Sequence, residues 1–298
     1  MSVNLPTWNV RQYSTNVNIL LQQKGSKFRG AVSEGSYVGE QASPVDQVGV
    51  IEAQEVTSRF APMGRVDAPL DRRWVFPSDF DLPQLVDHFD KLRLISDPES
   101  TYVTNAVYAL GRKIDAKIAA AFTGTAKTGV QGATSTSFTA GNEVDVSFGA
   151  TNSKLSVAKL REVKRLMMAN HVDFEAEPAF VGITAADHDA LLNEITVISS
   201  DFNGGVKPVL QDGKVTHFMG FNFIHCELIE TLLAGTNEVT LPVWVKSGMH
   251  LGMWNDINTS VSQRHDLQGE PYQVYAKGTF GATRLDEKKV YAIESYRA

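Results

Sequence analysis

Cysteine is nearly absent from this sequence, because its 298 residues contain only Cys226. An intrachain disulfide framework is therefore excluded, and the fold must be stable with a reduced thiol, as in a cytoplasm. The first residues lack a basic segment followed by an apolar run, so no signal peptide is predicted. Long hydrophobic runs are missing too, since none approaches the roughly 18 residues of a membrane-spanning helix. We therefore predict no membrane partner.

An excess of positive charge is also lacking. Lys and Arg number 28 against 34 Asp and Glu, which gives a formal net charge of -6. A strongly basic surface that grips nucleic-acid phosphates is therefore not expected. The 43% hydrophobic and 21% charged residues are instead typical of a folded globular protein.

Residues that could support catalysis are few and scattered. Asp187, His188 and Asp189 are potential metal ligands, but they fall in the first turn of a predicted helix, where acidic side chains favour the helix dipole. Cys226 beside His225 suggests a thiolate, yet successive strand residues point to opposite faces, so a buried cysteine fits better. We predict no catalytic residue, no metal and no cofactor. A soluble α/β metal-dependent hydrolase remains the alternative from another class of protein.

The clearest element is a long amphipathic helix predicted over 98–122. Asp97 can cap this helix, and Pro98 suits its first position. Some 25 residues at 1.5 Å each give a rod of roughly 37 Å. Arg112 and Asp115 fall on the polar side, which we expect to face solvent or a neighbouring molecule. The apolar residues form one stripe when wound at 100° per residue, namely Val103, Ala106, Val107, Leu110, Ile114, Ile118 and Ala121.

Strand-like segments can supply a sheet to cover this stripe. From residue 238 onwards, the pattern predicts antiparallel strands, which we expect to pack on the long helix. Residues 155–235 alternate helices with strands and predict an α/β unit with its own core, in which Ser156 caps a helix over 157–169. The other predicted elements are a helix over 81–95, a strand over 178–184, a helix from Thr184 to about 195, and strand-like patches at 137–139 and 144–148.

Residues 25–76 differ from the rest because Gly and Pro interrupt them repeatedly. The strand-like runs predicted at 27–32, 48–60 and 72–76 have too few apolar residues to form a core alone. We predict that this long loop lies on a neighbouring copy of the chain, the alternative being a solvated hairpin. It carries both charge signs, and arginine forms paired hydrogen bonds with carboxylates. The predicted intersubunit contacts are Lys27, Arg29, Glu52, Glu55, Arg59, Arg65, Arg72 and Arg73.

Two phrases of the sequence carry a resemblance to a known family. The stretch DFDLPQLVDHFDKLRLISDPESTYVTNAVYALGRKIDAKIAAAFTGTAKTG resembles the segment that leads into the long spine helix of major capsid proteins of tailed phages, most closely those of short-tailed phages. The phrase GSKFRG and its arginine-rich sequel resemble the extended loop of those proteins. The resemblance implies an α+β, HK97-like capsid fold. It implies an N-terminal arm (1–24), an extended loop (25–76), a peripheral domain (77–153 and 237–298) and an inserted axial domain (154–236).

The same resemblance implies a structural role rather than an enzymatic one. It implies self-assembly through pentamers and hexamers into an icosahedral shell around double-stranded DNA, in the host bacterial cytoplasm, so that the mature protein is found in the virion. The implied partners are other copies, a portal protein at one vertex, a decoration protein where one exists, and packaged DNA, held only weakly and non-specifically. Because the loop begins at residue 25, we expect a separate scaffolding protein and no maturation cleavage. An encapsulin-like nanocompartment shell protein is the nearest alternative.

Overall fold

The structure is a computed structural model that describes residues 21–55, 64–86, 99–194 and 213–297. No helix within these ranges is long and apolar enough to cross a membrane. The helices are α1 (Glu99–Thr123), α2 (Val157–Ala169), α3 (Ala185–Leu192) and α4 (Leu228–Leu232). The strands are β1 (Ser33–Ser36), β2 (Ala42–Val48), β3 (Leu70–Val75), β4 (Ser78–Val86), β5 (Ala126–Thr128), β6 (Thr134–Thr136), β7 (Glu143–Val144), β8 (Ala179–Ile183), β9 (His217–Phe218), β10 (Phe221–His225), β11 (Glu238–Val245), β12 (Met249–Gln263), β13 (Tyr272–Arg284) and β14 (Val290–Tyr296).

The chain divides into two compact units. The first unit combines Met1–Ser26, Asp79–Lys113 and Asn255–Thr279. The second unit consists of Lys27–Ser78, Ile114–Trp254 and Phe280–Ala298. The helix α1 contributes its first part to one unit and its last part to the other.

In the first unit, α1 packs on strands from both ends of the sequence. The helix agrees with the predicted 98–122, although the proposed caps Asp97 and Pro98 lie outside the described residues. The core around Ala106 and Leu110 of α1 includes side chains from β4, β12 and β13, namely Phe80, Leu82, Ile257 and Ala276. In this unit, the prediction that the apolar stripe faces the C-terminal strands is confirmed.

The helix predicted over 81–95 is wrong in its first part, where the chain forms β4. Burial alternates along this strand, with every second side chain turned inward. Leu82 and Val86 are four residues apart, a spacing that places two side chains on one face of a helix and equally on one face of a strand. Pro83 fits because β4 is an edge strand in the order β1-β12-β13-β4. Residues 87–95 lie outside the described part of the chain.

The second unit contains a six-stranded mixed sheet in the order β7-β14-β11-β8-β10-β9. The strands β8 and β10 are parallel, and β11 is antiparallel to both β8 and β14. The predicted strand over 178–184 is confirmed by β8. Leu160, Val163 and Met167 of α2 are buried. Ser156 caps α2 as predicted, because its hydroxyl accepts a hydrogen bond from the Lys159 N–H at 3.4 Å.

This sheet joins two segments that the sequence analysis separated. The strands β8 and β10 come from 154–236, whereas β11 and β14 come from 237–298. The expectation that the α/β segment has a core of its own is therefore wrong. A pair of parallel strands needs cover on its faces and partners at its edges, and here β11 supplies one of those partners. The boundaries of the capsid domains stay a prediction.

A buried lysine fixes the connection before α2. The Lys159 ammonium group donates hydrogen bonds to the carbonyl oxygens of Val146 (3.0 Å), Ser153 (2.8 Å) and Glu294 (2.6 Å). Burial lowers the pKa of this lysine to about 8. One side chain thus satisfies three carbonyl groups from two distant segments, at the energetic cost of burying a cation.

The second unit also contains a four-stranded sheet, β2-β3-β5-β6, which includes the extended loop. The run predicted at 72–76 is confirmed by β3, but the run at 27–32 and the described part of the run at 48–60 are wrong, and residues 56–60 lie outside the described residues. Residues 27–32 contain a short 3-10 turn before β1, and the strand predicted at 48–60 lies earlier, as β2. The pairing of β2 with β3 defines that strand, since its apolar pattern is weak. The patch predicted at 137–139 lies just after β6, and the patch predicted at 144–148 overlaps β7 only at Val144.

Asp115 does not face outward, which corrects the expectation for the polar side of α1. In the second unit its side chain is fully buried, and its carboxylate accepts hydrogen bonds from the N–H groups of Lys27 (2.8 Å) and Phe28 (3.1 Å). In the first unit, Arg112 is half-buried and donates to the side-chain oxygen of Gln22 at 2.7 Å. Backbone groups outside regular structure need such partners, so polar helix residues here bind the preceding chain instead of solvent.

Replacing Asp115 with Ala is expected to lower the free energy of unfolding by about 3 kcal/mol, because two backbone N–H groups lose a charged acceptor. Urea unfolding of the full chain, followed by circular dichroism, measures the change. Asp67→Ala is the matched control, since the Asp67 side chain is 70% exposed in a surface ion pair. Its expected cost is below about 1 kcal/mol. Equal losses in the two variants would contradict the assigned role of Asp115.

Candidate intersubunit surface

A buried arginine fixes the base of the extended loop. This base, called the foot of the loop below, is the place where β2 and β3 contact the chain after β13. Arg73 of β3 is 5% exposed and donates from Nε to the carbonyl oxygen of Leu285 at 3.0 Å. Its guanidinium also lies 3.6 Å from the carboxylate of Glu287. Gln47 of β2 donates its side-chain amide to the same Leu285 carbonyl. Both strands of the loop are therefore held at one point of the chain after β13.

A second buried arginine shares the same carboxylate. Arg284 donates from Nε to Glu287 at 2.7 Å. Another guanidinium nitrogen donates to the carbonyl oxygens of Phe122 (2.6 Å) and Gly124 (2.8 Å) at the end of α1. A cation at a helix C-terminus satisfies free carbonyl groups and favours the helix dipole. Glu287 therefore couples the end of the long helix to the foot of the loop.

The loop strands continue into a ladder that a second hairpin extends. Asp46 lies opposite Arg72 in the pairing of β2 with β3, and the Gly49 N–H donates to the Pro69 carbonyl at 2.7 Å just beyond the ladder. On the other side, β5 pairs with β3. The Trp74 indole N–H donates to the Gly129 carbonyl at 2.7 Å, which fastens the β5–β6 hairpin. The loop is therefore ordered by contacts within the chain up to residue 49 and from residue 69 onwards.

Three of the predicted contact residues form exposed ion pairs within the chain. The structure places Arg29 3.2 Å from Glu34, Arg65 2.7 Å from Asp67, and Arg72 2.5 Å from Asp46. The hydrogen bond from Arg72 is the main reason that the pKa of Asp46 lies below its usual value. Exposed pairs of this kind contribute little to stability, but they restrict the side chains to one arrangement.

The other predicted contact residues lie in different settings. Arg73 is buried at the foot of the loop, as described above, and Lys27 is exposed next to the backbone that Asp115 binds. Glu52 and Glu55 are exposed in a stretch without regular structure. Arg59 lies outside the described residues. The structure therefore does not bring the eight residues together into one cluster, and their role between subunits stays a prediction.

Exposed aliphatic side chains on the loop were not selected by the sequence analysis. Among them, Val48 is 67% exposed, Leu70 78% and Val50 86%, and Ile51 and Val66 are also exposed. Several solvent-exposed aliphatic residues close together in the described part of one loop are a sign of an interaction surface. The partial alternation of apolar and polar residues at Val48 and Val50 could have indicated these side chains. The charged residues nearby were selected as contacts instead.

A groove of about 940 Å³ lies beside the foot of the loop in the second unit. Its lining includes Tyr37, His250 and Leu285 and residues of β2. Ser33 and Glu34 of β1 line it as well. Both apolar and charged side chains contribute to this lining. Grooves of this kind fit a peptide or small molecule rather than a flat protein surface.

Hydrogen bonds define the protonation state of His250, one of the residues that line the groove. The Ser33 hydroxyl donates to the Met249 carbonyl at 2.7 Å, so it accepts from His250 Nδ1 at 2.9 Å. The other ring nitrogen, Nε2, then accepts from the Tyr37 hydroxyl at 2.8 Å. The imidazole is therefore neutral, and burial lowers its pKa to about 4, against a smaller opposing effect from Glu34.

The residues considered for catalysis have structural partners. Asp187 is fully buried and bound by Arg297 (2.6 Å), Thr184 (2.7 Å) and Ser295. Thr184 therefore does not cap α3 through its side chain, although α3 begins directly after it, as predicted. Cys226 is buried, and this burial raises the pKa of its thiol to about 11, which disfavours a thiolate. Within the described ranges, no group of three or more His, Cys, Asp or Glu residues could hold a metal ion.

Solved phage capsids share this architecture. The capsid protein of cyanophage P-SCSP1u matches with a TM-score of 0.74 and 14% identity, over 98% of this chain and 93% of that one. The cyanophage Pam1 capsid matches with a TM-score of 0.74 and 11% identity, over 100% and 99% of the two chains. The head structure of Helicobacter pylori bacteriophage KHP40 matches with a TM-score of 0.70 and 10% identity, over 99% of each. Among curated proteins, no sequence matches significantly.

These likenesses define the fold of the protein, an α+β, HK97-like capsid fold, as predicted. The profile of the family described as phage capsid protein matches residues 5–296, and the chain belongs to this family. It is a structural protein of the phage capsid and therefore a component of the virion, not an enzyme. The family favours neither the encapsulin nor the hydrolase alternative.

Replacing His250 with Gln is expected to reduce the sensitivity of the fold to acid. The folded-state pKa of about 4 lies below the ordinary value of 6.5, so the unfolded chain binds the extra proton between these pH values. Stability from the neutral imidazole is therefore present above about pH 6.5 and is lost as the pH falls, by up to about 3 kcal/mol.

Urea unfolding at several pH values between 4 and 7 tests this prediction, with the variant showing a shallower fall than the wild type. His265→Gln is the matched control, because the His265 side chain is 72% exposed. It should keep the slope of the wild type. An unchanged slope in His250→Gln would show that His250 does not carry the acid sensitivity.

Proposed function

We propose that the protein assembles through pentamers and hexamers into an icosahedral shell that encloses the double-stranded DNA genome of a tailed phage. The observation that carries this proposal, beyond the family itself, is the set of exposed aliphatic side chains on the described part of the extended loop. These residues leave water if the loop lies on a neighbouring copy. Each such contact is modest, but many in one closed assembly give a stable shell. Heterologous contacts that close into rings are the usual basis of such symmetry.

Other partners follow from this proposal. Assembly takes place in the host bacterial cytoplasm with a separate scaffolding protein, and a portal protein occupies one vertex. A decoration protein can bind the outer surface, and packaged DNA contacts the inner wall only weakly and non-specifically. The net charge of -6 supports weak contact with DNA, because few counterions would be released from the phosphates.

The charged residues of the loop have a more limited role than the aliphatic ones in this proposal. Arg29, Arg65 and Arg72 already have carboxylate partners within the chain, so they can add only rim contacts to a neighbour. Glu52 and Glu55 are exposed next to Val50 and Ile51, so they are better placed to affect which surface of a neighbour the loop binds. Rim charges of this kind affect the rate and specificity of association more than its strength.

Replacing residues 50–68 with a short Gly-Ser turn is expected to leave the subunit folded but unable to form shells. The hydrogen bond from the Gly49 N–H to the Pro69 carbonyl closes the ladder at this point, so the strands below should persist. Circular dichroism should show a thermal midpoint within about 4 °C of the wild type. Light scattering and negative-stain microscopy should show at least a ten-fold loss of particles. Normal shells from this variant would remove the loop from the assembly mechanism.

A matched pair of variants separates apolar contacts from charged ones. Val50→Ser with Ile51→Ser removes exposed aliphatic surface, whereas Glu52→Ser with Glu55→Ser removes charge from the same stretch. The first pair is expected to reduce particle yield at all salt concentrations. The second should change the rate of assembly mainly at low salt, where charges are poorly screened. The reverse pattern would show that charge drives docking.

A further inference from the structure

Three buried polar atoms in one group of side chains have no hydrogen-bond partner among the described residues. They are Nη1 of Arg73, Nη2 of Arg284 and Oε1 of Glu287. Arg73 is 5% exposed and Arg284 1%, so bulk solvent does not reach these guanidinium groups. An unpaired buried polar group costs free energy, and native proteins pair most such groups with protein or with ordered water. We therefore expect the three side chains to share a further partner.

The covalent geometry of arginine places two of these atoms side by side. In a guanidinium group, Nε and Nη2 lie on the same edge. Arg284 donates from Nε to Glu287 Oε2 at 2.7 Å, so its Nη2 lies beside the same carboxylate. The other carboxylate oxygen, Oε1, is 3.6 Å from Nη2 of Arg73. That distance is too long for a direct hydrogen bond, but a small molecule that contacts both atoms can span it.

The surroundings limit how a partner can reach this position. The Phe138 ring covers one face of the Arg284 guanidinium, with 5.3 Å between Cζ and the ring centroid. The carbonyl oxygens of Phe122 and Gly124 bind Nη1 of Arg284. Only the edge that faces Glu287 is left for a further hydrogen bond. The Glu287 side chain is 16% exposed, so a small molecule can enter along it.

The hydrogen-bonding roles of these atoms identify the partner. The guanidinium nitrogens can only donate, and the carboxylate oxygen can only accept. A partner that satisfies both must accept from N–H groups and donate to Oε1. An anion cannot donate and would be repelled by the Glu287 charge, and a cation would be repelled by both arginines. Water can do both, and buried waters typically form about three hydrogen bonds.

We infer that a buried water molecule bridges Arg73, Arg284 and Glu287, and that it joins the foot of the loop to the end of α1. The water accepts hydrogen bonds from both guanidinium groups and donates one to Oε1 of Glu287. Because a water molecule can shift with its partners, the foot of the loop can move slightly while both guanidinium groups stay hydrogen-bonded. This inference does not depend on the proposed function.

A density map of the wild-type protein, at a resolution that shows ordered waters, tests the inference in assembled particles or in the isolated subunit. We expect a peak about 2.7–3.2 Å from Glu287 Oε1, from Arg284 Nη2 and from a terminal nitrogen of Arg73. Lys159 Nζ is the control in the same map, because three carbonyl oxygens already bind its three N–H groups. No additional peak is expected there. The absence of a peak beside Glu287, or a direct hydrogen bond from either guanidinium to Oε1 in its place, would overturn the inference.

Exchange of the salt separates a water molecule from a bound anion. Thermal unfolding of the wild type and of Arg73→Gln is compared in sodium chloride and in sodium gluconate at equal ionic strength. With a water bridge, the difference in thermal midpoint between the two proteins should be the same in both salts. A bound chloride would stabilise only the wild type, since a ligand of the folded state raises its stability. A larger difference in chloride would therefore overturn the inference.

Arg73→Gln and Arg72→Gln form a matched pair at neighbouring positions of β3. The Arg73 side chain is 7% exposed and that of Arg72 48%. We expect the peak beside Glu287 to fall by about two-fold or more in Arg73→Gln, because one of its donors is lost, and to stay unchanged in Arg72→Gln. An unchanged peak in Arg73→Gln would show that the water does not reach the foot of the loop, which overturns the bridge. If Arg73→Gln does not fold, the wild-type map decides the question.

Discussion

The contact between Glu287 and two buried arginines joins distant segments of the second unit. Arg284 satisfies the last carbonyl groups of the long helix, and Arg73 holds the foot of the extended loop. One carboxylate lies next to both cations, so neither positive charge is buried alone. Removing one member of such a group costs far more than the group contributes as a whole, because the remaining charges lose their compensation. The end of the helix and the foot of the loop are therefore coupled through a single side chain.

The sequence predicted well those elements whose signals are local. The long helix and α2 were recoverable because one face of each is apolar over several turns, and because Ser156 is a strong capping residue. The prediction from sequence was wrong at β4, where the spacing of Leu82 and Val86 fits both a helix and a strand. It also failed at Asp115, because helical position alone does not reveal a backbone segment crossing the polar face. Such long-range partners are set by the tertiary fold.

The candidate surface on residues 25–76 stays a prediction, but the structure changes which of its residues are available. The sequence indicates that this range cannot form a core alone, since Gly and Pro interrupt it and apolar residues are few. The charged residues looked most informative, yet the structure pairs three of the arginines within the chain and exposes Val48, Val50 and Leu70 instead. Sequence counts cannot separate a charge that already has a partner from one that is available. Only coordinates show which apolar side chains remain in water.

The ion pairs along the loop have a consequence for the energetics of repeated use. Arg72 with Asp46, and Arg65 with Asp67, hold their side chains in place before any neighbour arrives. Binding a pre-ordered surface costs less conformational entropy than binding one that must become ordered in the encounter. In the proposed shell, a subunit that leaves a wrong position keeps its loop in shape and can rejoin at another site without refolding. Correction of assembly errors then requires only dissociation, and the released subunits remain able to assemble.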